Sequence, residues 1–295
     1  ITYNLLQLFG VFHMLAITKN ELSFIASTRI NTNAIQWALE NIEYLNKPMK
    51  FFGSSVKVEK GSEKFDTYVM YLQPADKVAL KTICDAAVMS GCKKDCLISS
   101  GQLGMSVAQN AATKRTILML LRPDYFEERI LFEVDRAERK AKKTGTPCVF
   151  RLNGTSDLDF SAIISQRPRS QWYDYTKILS RVRKNRLRNY DLTFSGSMYS
   201  VQSRAALGKA IARKHRVAVA FNTKLIASDG ITGIPSMFSN FDKTDLRHLD
   251  GPVIGALTRK GSNKKQRAVD NKVSDSFFIT NFNLGEFWNL WMANK

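Results

Sequence analysis

The stretch GTPCVFRLNGTSDLDFSAIISQRPRSQWYDYTKILSRVRKNRLRNYDLTFSG, residues 145–196, decides the fold. It holds three short apolar runs, CVFRL (148–152), QWYDYT (171–176) and YDLTF (190–194), separated by segments that read as helix or loop. The alternation continues in RVAVAF (216–221), GPVIGAL (251–257) and SFFI (276–279), with a helix expected over 200–214. Strands alternating with helical segments argue parallel β/α units. The expected fold is therefore α/β, a complete or partial parallel β/α barrel with an N-terminal hairpin extension; a doubly wound sheet is the second choice. In either architecture the functional residues belong at the carboxyl ends of the strands.

Upstream, the period is helical first. Residues 34–46 place Ile35, Leu39, Ile42 and Leu45 on one face and end before Pro48. Two strands, 51–58 and 66–72, are expected next as a hairpin turning at Lys60-Gly61-Ser62. Helices over 104–121 and 124–143 follow, parted by Pro123, with Asp124 as the expected cap. The second carries Phe126, Ile130, Val134 and Ala137 on one face and a solvated run of charge elsewhere. These readings divide the chain into an N-terminal extension, 1–64, and an α/β barrel-like domain, 65–295. The opening ITYNLLQLFGVFHMLAI is broken by Asn4, Gln7, Gly10 and His13 and is too short and mixed for a membrane span. Because the chain begins at Ile1, Met14 is a candidate natural start.

A chain of 295 residues with 44% hydrophobic content can bury a sizeable core, and its net charge of +18 sets up a broad positive field. Anionic partners follow as the default: nucleotides, nucleic acid or phosphate-bearing small molecules. Four cysteines are too few for a disulfide scaffold, so a reducing cytoplasm fits. No P-loop, G-x-G-x-x-G or G-x-S-x-G is present, which removes glycine-loop nucleotide binding and a hydrolytic triad from the expected classes.

Chemistry is expected first in Lys81–Gly104, KTICDAAVMSGCKKDCLISSGQLG, where Cys84, Cys92 and Cys96 stand at C-x7-C-x3-C spacing. A flexible loop lets three sulfurs turn toward one metal or cluster. A zinc site would need a fourth ligand, for which His248 is the best candidate and Asp85 or Asp95 are weaker ones; the plain alternative is three free thiols. Cys148 opens an apolar strand and reads as core.

Polar groups also gather at strand ends. Arg151, Asn153 and Asp157 are candidate anion or cofactor contacts, or a structural network in which Asp157 caps a helix starting near Leu158. Asp174, Tyr175, Thr176 and Lys177 close the next strand, and Lys177 is the residue there able to act as a cation or base. Thr193 and Ser195 take the same place on the strand after it. His248, in DLRHLD (245–250), is a second acid/base candidate. Basic clusters at 181–188, 213–216 and 259–267 lie near Trp172, Tyr173 and Tyr190 in sequence. Cations with aromatics between them suit a nucleic-acid strand. Arg181, Arg183, Lys184, Arg186, Arg188, Lys260, Lys264 and Lys265 are the contacts expected from these clusters. The segment 258–270 is expected to be a loop that moves or meets an anion.

The cysteine loop with its G-C-x-x-x-C-L, together with RLNGTSD, YDYTK, LTFS, VAVAF and DLRHLDGPVIGALTRKG, resembles the phage gene product 88 family. The motifs run from about Gln73 to Ile279 and leave the part before Phe65 uncovered. The resemblance implies a phage-encoded protein of the host cytoplasm. It also implies a barrel-like fold distantly similar to the radical S-adenosylmethionine barrels, although C-x7-C-x3-C departs from their usual C-x3-C-x2-C. On that reading Cys84, Cys92 and Cys96 hold a four-iron (4Fe-4S) cluster whose unligated iron takes S-adenosylmethionine. Arg151, Asn153, Asp157, Asp174 and Ser195 then bind ligand, and Lys177 and His248 supply acid/base groups. The other function class expected is a non-enzymatic nucleic-acid-binding protein with a structural zinc.

Overall fold

The structure, a computed structural model, describes residues 16–24, 28–53, 65–93, 95–222, 238–242, 245–251, 253–259, 276–280 and 283–294. Residues 1–15 with Met14, the 60–62 turn, and Lys260, Lys264 and Lys265 with most of the 258–270 loop lie outside the described residues.

Three short helices, α1 (Lys19–Phe24), α2 (Thr32–Glu40) and α3 (Ile42–Asn46), lead into β1 (Phe52–Gly53) and β2 (Asp66–Met70). The helix expected over 34–46 is interrupted at Asn41, whose side-chain amide donates to the Trp37 carbonyl and competes with the next helical turn. After the cysteine loop come α4 (Ser106–Leu121) and α5 (Pro123–Thr144). Pro123 starts α5, where its missing N–H costs nothing, while Asp124 sits in the first turn and does not cap it. Gly145 ends α5 in the left-handed conformation.

From there the chain alternates through β3 (Cys148–Arg151), α6 (Ser161–Ser165), β4 (Gln171–Thr176), α7 (Leu179–Lys184), β5 (Tyr190–Gly196), α8 (Val201–Ala212) and β6 (Val217–Phe221). It finishes with β7 (Phe238–Asn240), β8 (Ile254–Thr258) and α9 (Leu284–Met292). The eight strands form one sheet in the order β1-β2-β3-β4-β5-β6-β8-β7, antiparallel at β1 and parallel throughout the rest. β2 therefore has two roles, closing a hairpin with β1 and opening the parallel ladder. The run SFFI contributes a single bridge, Ile279 to Phe221.

Two expectations change. The sheet is open, with β1 and β7 at its edges, so a complete barrel does not form. The strand order advances without the reversal that a doubly wound sheet requires, apart from the β8/β7 exchange at one edge. Helices from both halves of the chain cover the same face. Phe150, Leu152 and Trp172 pack with Ile117, Ile130, Val134 and Ile164. Phe194, Val217, Val219 and Phe221 pack with Leu207, Ile211, Phe287 and Trp291. Strand register puts all of these strand residues on one side, because side chains alternate with a period of two.

The opposite face is closed by the chain itself. Leu246 packs on Val149 and Tyr173, and the Phe241 ring lies over Gly255, where a Cβ would fall 2.0 Å from Phe241 Cδ2. That close approach is why β8 carries glycine there. Arg247 is buried, with its guanidinium 3.6 Å above the Phe241 ring. Among the described residues no helix is long and apolar enough to cross a membrane.

Candidate functional site

The cysteine loop lies across the carboxyl ends of the strands and is fastened to the residues that follow β3, β5 and β8. Cys84 Sγ accepts from the Ala75 N–H at 3.4 Å and contacts the Thr155 carbonyl, just past β3, at 3.8 Å. Asp157 donates its N–H to the Ile83 carbonyl. Ser197, the first residue after β5, donates its hydroxyl to the Ser90 carbonyl at 2.7 Å. Gly91 turns with φ +72° against the Tyr199 ring, so a side chain is excluded twice, by backbone conformation and by contact. Arg259, directly after β8, pairs with Asp95 and also donates to Asn222 Oδ1, with its guanidinium 4.4 Å over Phe278. The loop is thus pinned by β3, β5 and β8 together.

The three cysteines are free and half-buried. Burial pushes the Cys84 thiol up to about 11, with Cys92, Cys96 and Asp157 adding negative charge and the Ala75 N–H opposing. Burial also raises Cys96, with Cys92 acting in the same direction and the cations of Lys177 and Lys77 against it. Cys84 and Cys96 thus both feel Cys92, and Cys84 feels Cys96 as well. Among the described residues no three His, Cys, Asp or Glu side chains form a metal-holding group.

Lys177 and Ser195 stand at the same end of the strands. Lys177 Nζ donates to Ser195 Oγ at 3.2 Å and lies 5.0 Å from the centre of the Phe277 ring. The other expected ligand residues are occupied with each other. Asp174 accepts from the Asn153 N–H at 2.9 Å and from the Tyr190 hydroxyl at 3.1 Å. Asn153 Oδ1 accepts from Ser156 and the Leu158 N–H, which orders the turn after β3. Asp157 does not cap the following helix, which starts at Ser161; its carboxylate takes the Lys177 N–H and pairs with Arg181. Arg151 donates to Asp245 at 2.8 Å, and the hydroxyls of Tyr173 and Tyr175 meet the same carboxylate.

Burial pushes the Asp174 carboxyl up to about 6 even though Arg151, Asn153 and Tyr190 favour its charge. For Arg151 burial works against the cation, and the surrounding Asp245, Tyr173, Tyr175 and Asp174 more than reverse it.

His248 is not brought to this site. Its ring sits edge-on to Phe65, 5.2 Å between centroids, and near Tyr173, at the amino ends of the strands. Burial lowers its pKa, and neither ring nitrogen has a hydrogen-bond partner among the described residues. Across the sheet from the cysteine loop, it neither completes a four-ligand site there nor joins Lys177. Asp95 is held by Arg259, and Asp85 is exposed.

The expected nucleic-acid contacts divide. Arg181 is turned inward onto Asp157 and the Leu158 carbonyl, and Arg259 is buried. Arg183, Lys184, Arg186 and Arg188 are exposed. Trp172, Tyr173 and Tyr190 are 1%, 0% and 3% exposed, so none of the three is available to stack on a base.

Sequence reading missed Arg259, Ser197 and Asp245 as partners. Arg259 followed an apolar strand at its carboxyl end and so carried a usable signal. Asp245 stood out as part of the ionisable run DLRHLD, but nothing there pointed to its partners, which lie 70 to 94 residues away.

Fold and site together define an α/β protein with an open, mostly parallel sheet and a thiol-bearing loop over its strand ends. The chain belongs to the phage gene product 88 family, whose sequence model matches residues 42–272. The match starts at the beginning of α3, well before the motifs that run from about Gln73, and so takes in the β1–β2 hairpin. No curated protein and no solved structure matches the chain.

Proposed function

We propose that Cys84, Cys92 and Cys96 hold an iron–sulfur cluster and that this phage protein modifies a nucleotide, nucleic acid or related small molecule in the host cytoplasm. S-adenosylmethionine is the proposed second ligand. The observation that carries the reading is placement: three free thiols share one loop over the carboxyl ends of parallel strands, where open α/β sheets bind ligands. The donor chemistry fits, since soft thiolates select iron–sulfur clusters. Burial of Cys84 and Cys96 opposes their ionisation, and a bound cationic centre compensates thiolates in such surroundings. Ligation requires the three side chains to converge, since they do not form a metal-holding group among the described residues.

When bound, such a cluster supplies one iron without a protein ligand, open to an exchangeable chelating group. The chain's own residues then divide the remaining work. Lys177 presents a cation beside Cys96, positioned by Ser195, for a carboxylate or phosphate of the incoming ligand. Asn153, Asp157 and Asp174 fix the turn after β3 against the end of β4, and Arg151 anchors the layer beneath. The reducing compartment keeps the thiols available.

Anaerobic reconstitution with ferrous iron and sulfide tests the reading. About four irons and four sulfides should be retained per chain after desalting, and Cys84→Ser, Cys92→Ser and Cys96→Ser should each lower that content. Colourless protein retaining one zinc per chain would replace the cluster with a structural zinc.

A further inference from the structure

We propose that the amino-terminal edge of the sheet is a nucleic-acid-binding face that grips the sugar–phosphate backbone without reading bases. It lies at the opposite end of the strands from the cysteine loop and does not depend on what that loop holds.

Each connection entering β3, β4, β5 and β6 is basic, and the parallel register brings all four to one edge. Lys142 and Lys143 precede β3, and Arg169 precedes β4. Arg183, Lys184, Arg186 and Arg188 precede β5, and Arg213 and Lys214 precede β6. All of these side chains are exposed. The sequence shows these cations as separate runs; the sheet makes them neighbours. With adjacent strands about 4.8 Å apart, the row from β3 to β6 spans roughly 14 Å, about four phosphates along one strand of a duplex.

Most carboxylates on this edge are already committed, and Glu138, beside the Cys148 thiol at the start of β3, is the exception. Asp66 pairs with Lys140, Asp135 with Arg167, and Asp191 with Arg216. Asp250 meets Arg247. The exposed cations therefore keep their field for an external anion. Helix-dipole complementarity accounts for Lys142 and Lys143 in the last turn of α5. It also accounts for Arg183 and Lys184 in the last turn of α7 and for Arg186, whose guanidinium donates to the Arg183 and Asn185 carbonyls, but not for Arg169 or Arg188, which lie beyond the ends of α6 and α7.

Five of the nine cations are arginines, whose planar fork matches phosphate oxygens. Burial of Trp172, Tyr173 and Tyr190 removes the aromatics nearest in sequence from base stacking. Charge-led binding of this kind is tolerant of sequence and steep in salt.

The test is fluorescence anisotropy with a labelled DNA of about 20 nucleotides, single-stranded and as a duplex. The triple variant Arg183→Ala/Arg186→Ala/Arg213→Ala is compared with Lys19→Ala/Lys47→Ala/Lys50→Ala, which removes equal charge from exposed positions elsewhere. The edge variant should lose about tenfold or more in affinity at low salt, and its salt slope should become shallower by about 2–3. The control should stay within about twofold, and melting temperatures should confirm that both variants fold. Equal losses in the two variants would make binding a property of diffuse charge and overturn the proposal. So would undetectable DNA binding, or unchanged DNA binding with loss of retention on phosphatidylserine vesicles.

Discussion

Arg151 Nη1 donates to Asp245 Oδ2 at 2.8 Å, joining β3 to the segment that closes the open face of the sheet. Tyr173 and Tyr175 share the same carboxylate at 3.3 and 3.1 Å, so one buried acid organises three side chains from two strands. Removing Asp245 leaves the buried Arg151 guanidinium with only the longer contact to Asp174, at 3.7 Å, as an ion pair among the described residues. Asp245→Ala should lower unfolding free energy by about 3–5 kcal/mol, measured by urea denaturation. The Arg151→Met/Asp245→Ala double variant should cost less than the sum of the single changes.

Asp174 gives a pH signature with a definite sign. Its folded pKa of about 6 lies above the ordinary unfolded value near ~3.9. Between the two, the folded chain keeps a proton that the unfolded chain has released, so stability falls as pH rises from about 4 to about 6 and levels off above. Asp174→Asn should flatten that part of the profile by up to about 3 kcal/mol. Urea midpoints collected across the window would measure it; an unchanged slope in the variant would assign the dependence to other groups.

Gly91 combines a positive φ with contact against Tyr199. Gly91→Ala should cost about 2–4 kcal/mol, from left-handed backbone strain together with overpacking. Adding Tyr199→Ala should recover the packing part only, because the backbone strain remains. Thermal unfolding of the single and double variants separates the two causes.

Cys84, pushed up to about 11 by burial, should alkylate slowly in the reduced, metal-free protein. At pH 8 its thiolate fraction is about 100-fold or more below that of an ordinary cysteine, and iodoacetamide labelling followed by peptide mass spectrometry reads that deficit. Cys148, pushed up to about 12, should react more slowly still. Arg259→Met removes the ion pair that fastens Asp95, so the loop loosens and access to Cys92 and Cys96, the neighbours of Asp95, should increase; their labelling should speed up.

The strands were legible because CVFR, QWYDYT and VAVAF are short, mainly apolar or aromatic runs, buried against helices on one face and chain on the other. Their order and openness were not legible, since period-two alternation fixes faces and says nothing about closure. The cysteine loop announced itself by composition, yet its fastening to Ser197 and Arg259 depends on contacts across the whole sheet. Trp172 and Tyr190 were read as neighbours of surface cations because sequence distance stood in for spatial distance. The strand pleat turns both inward while Arg183, Arg186 and Arg188 remain outside. Residue chemistry alone points His248 to the cysteine site; only the direction of the strands shows that it sits at the other end.

The absorption spectrum of protein purified without oxygen, taken with its iron, sulfide and zinc content, shows whether the three cysteines hold a cluster. Iron with sulfide and a broad band at about 400 nm are expected, both lost in Cys84→Ala/Cys92→Ala/Cys96→Ala. Anaerobically purified protein with neither iron nor sulfide, and a spectrum identical to that of the triple variant, would contradict the cluster.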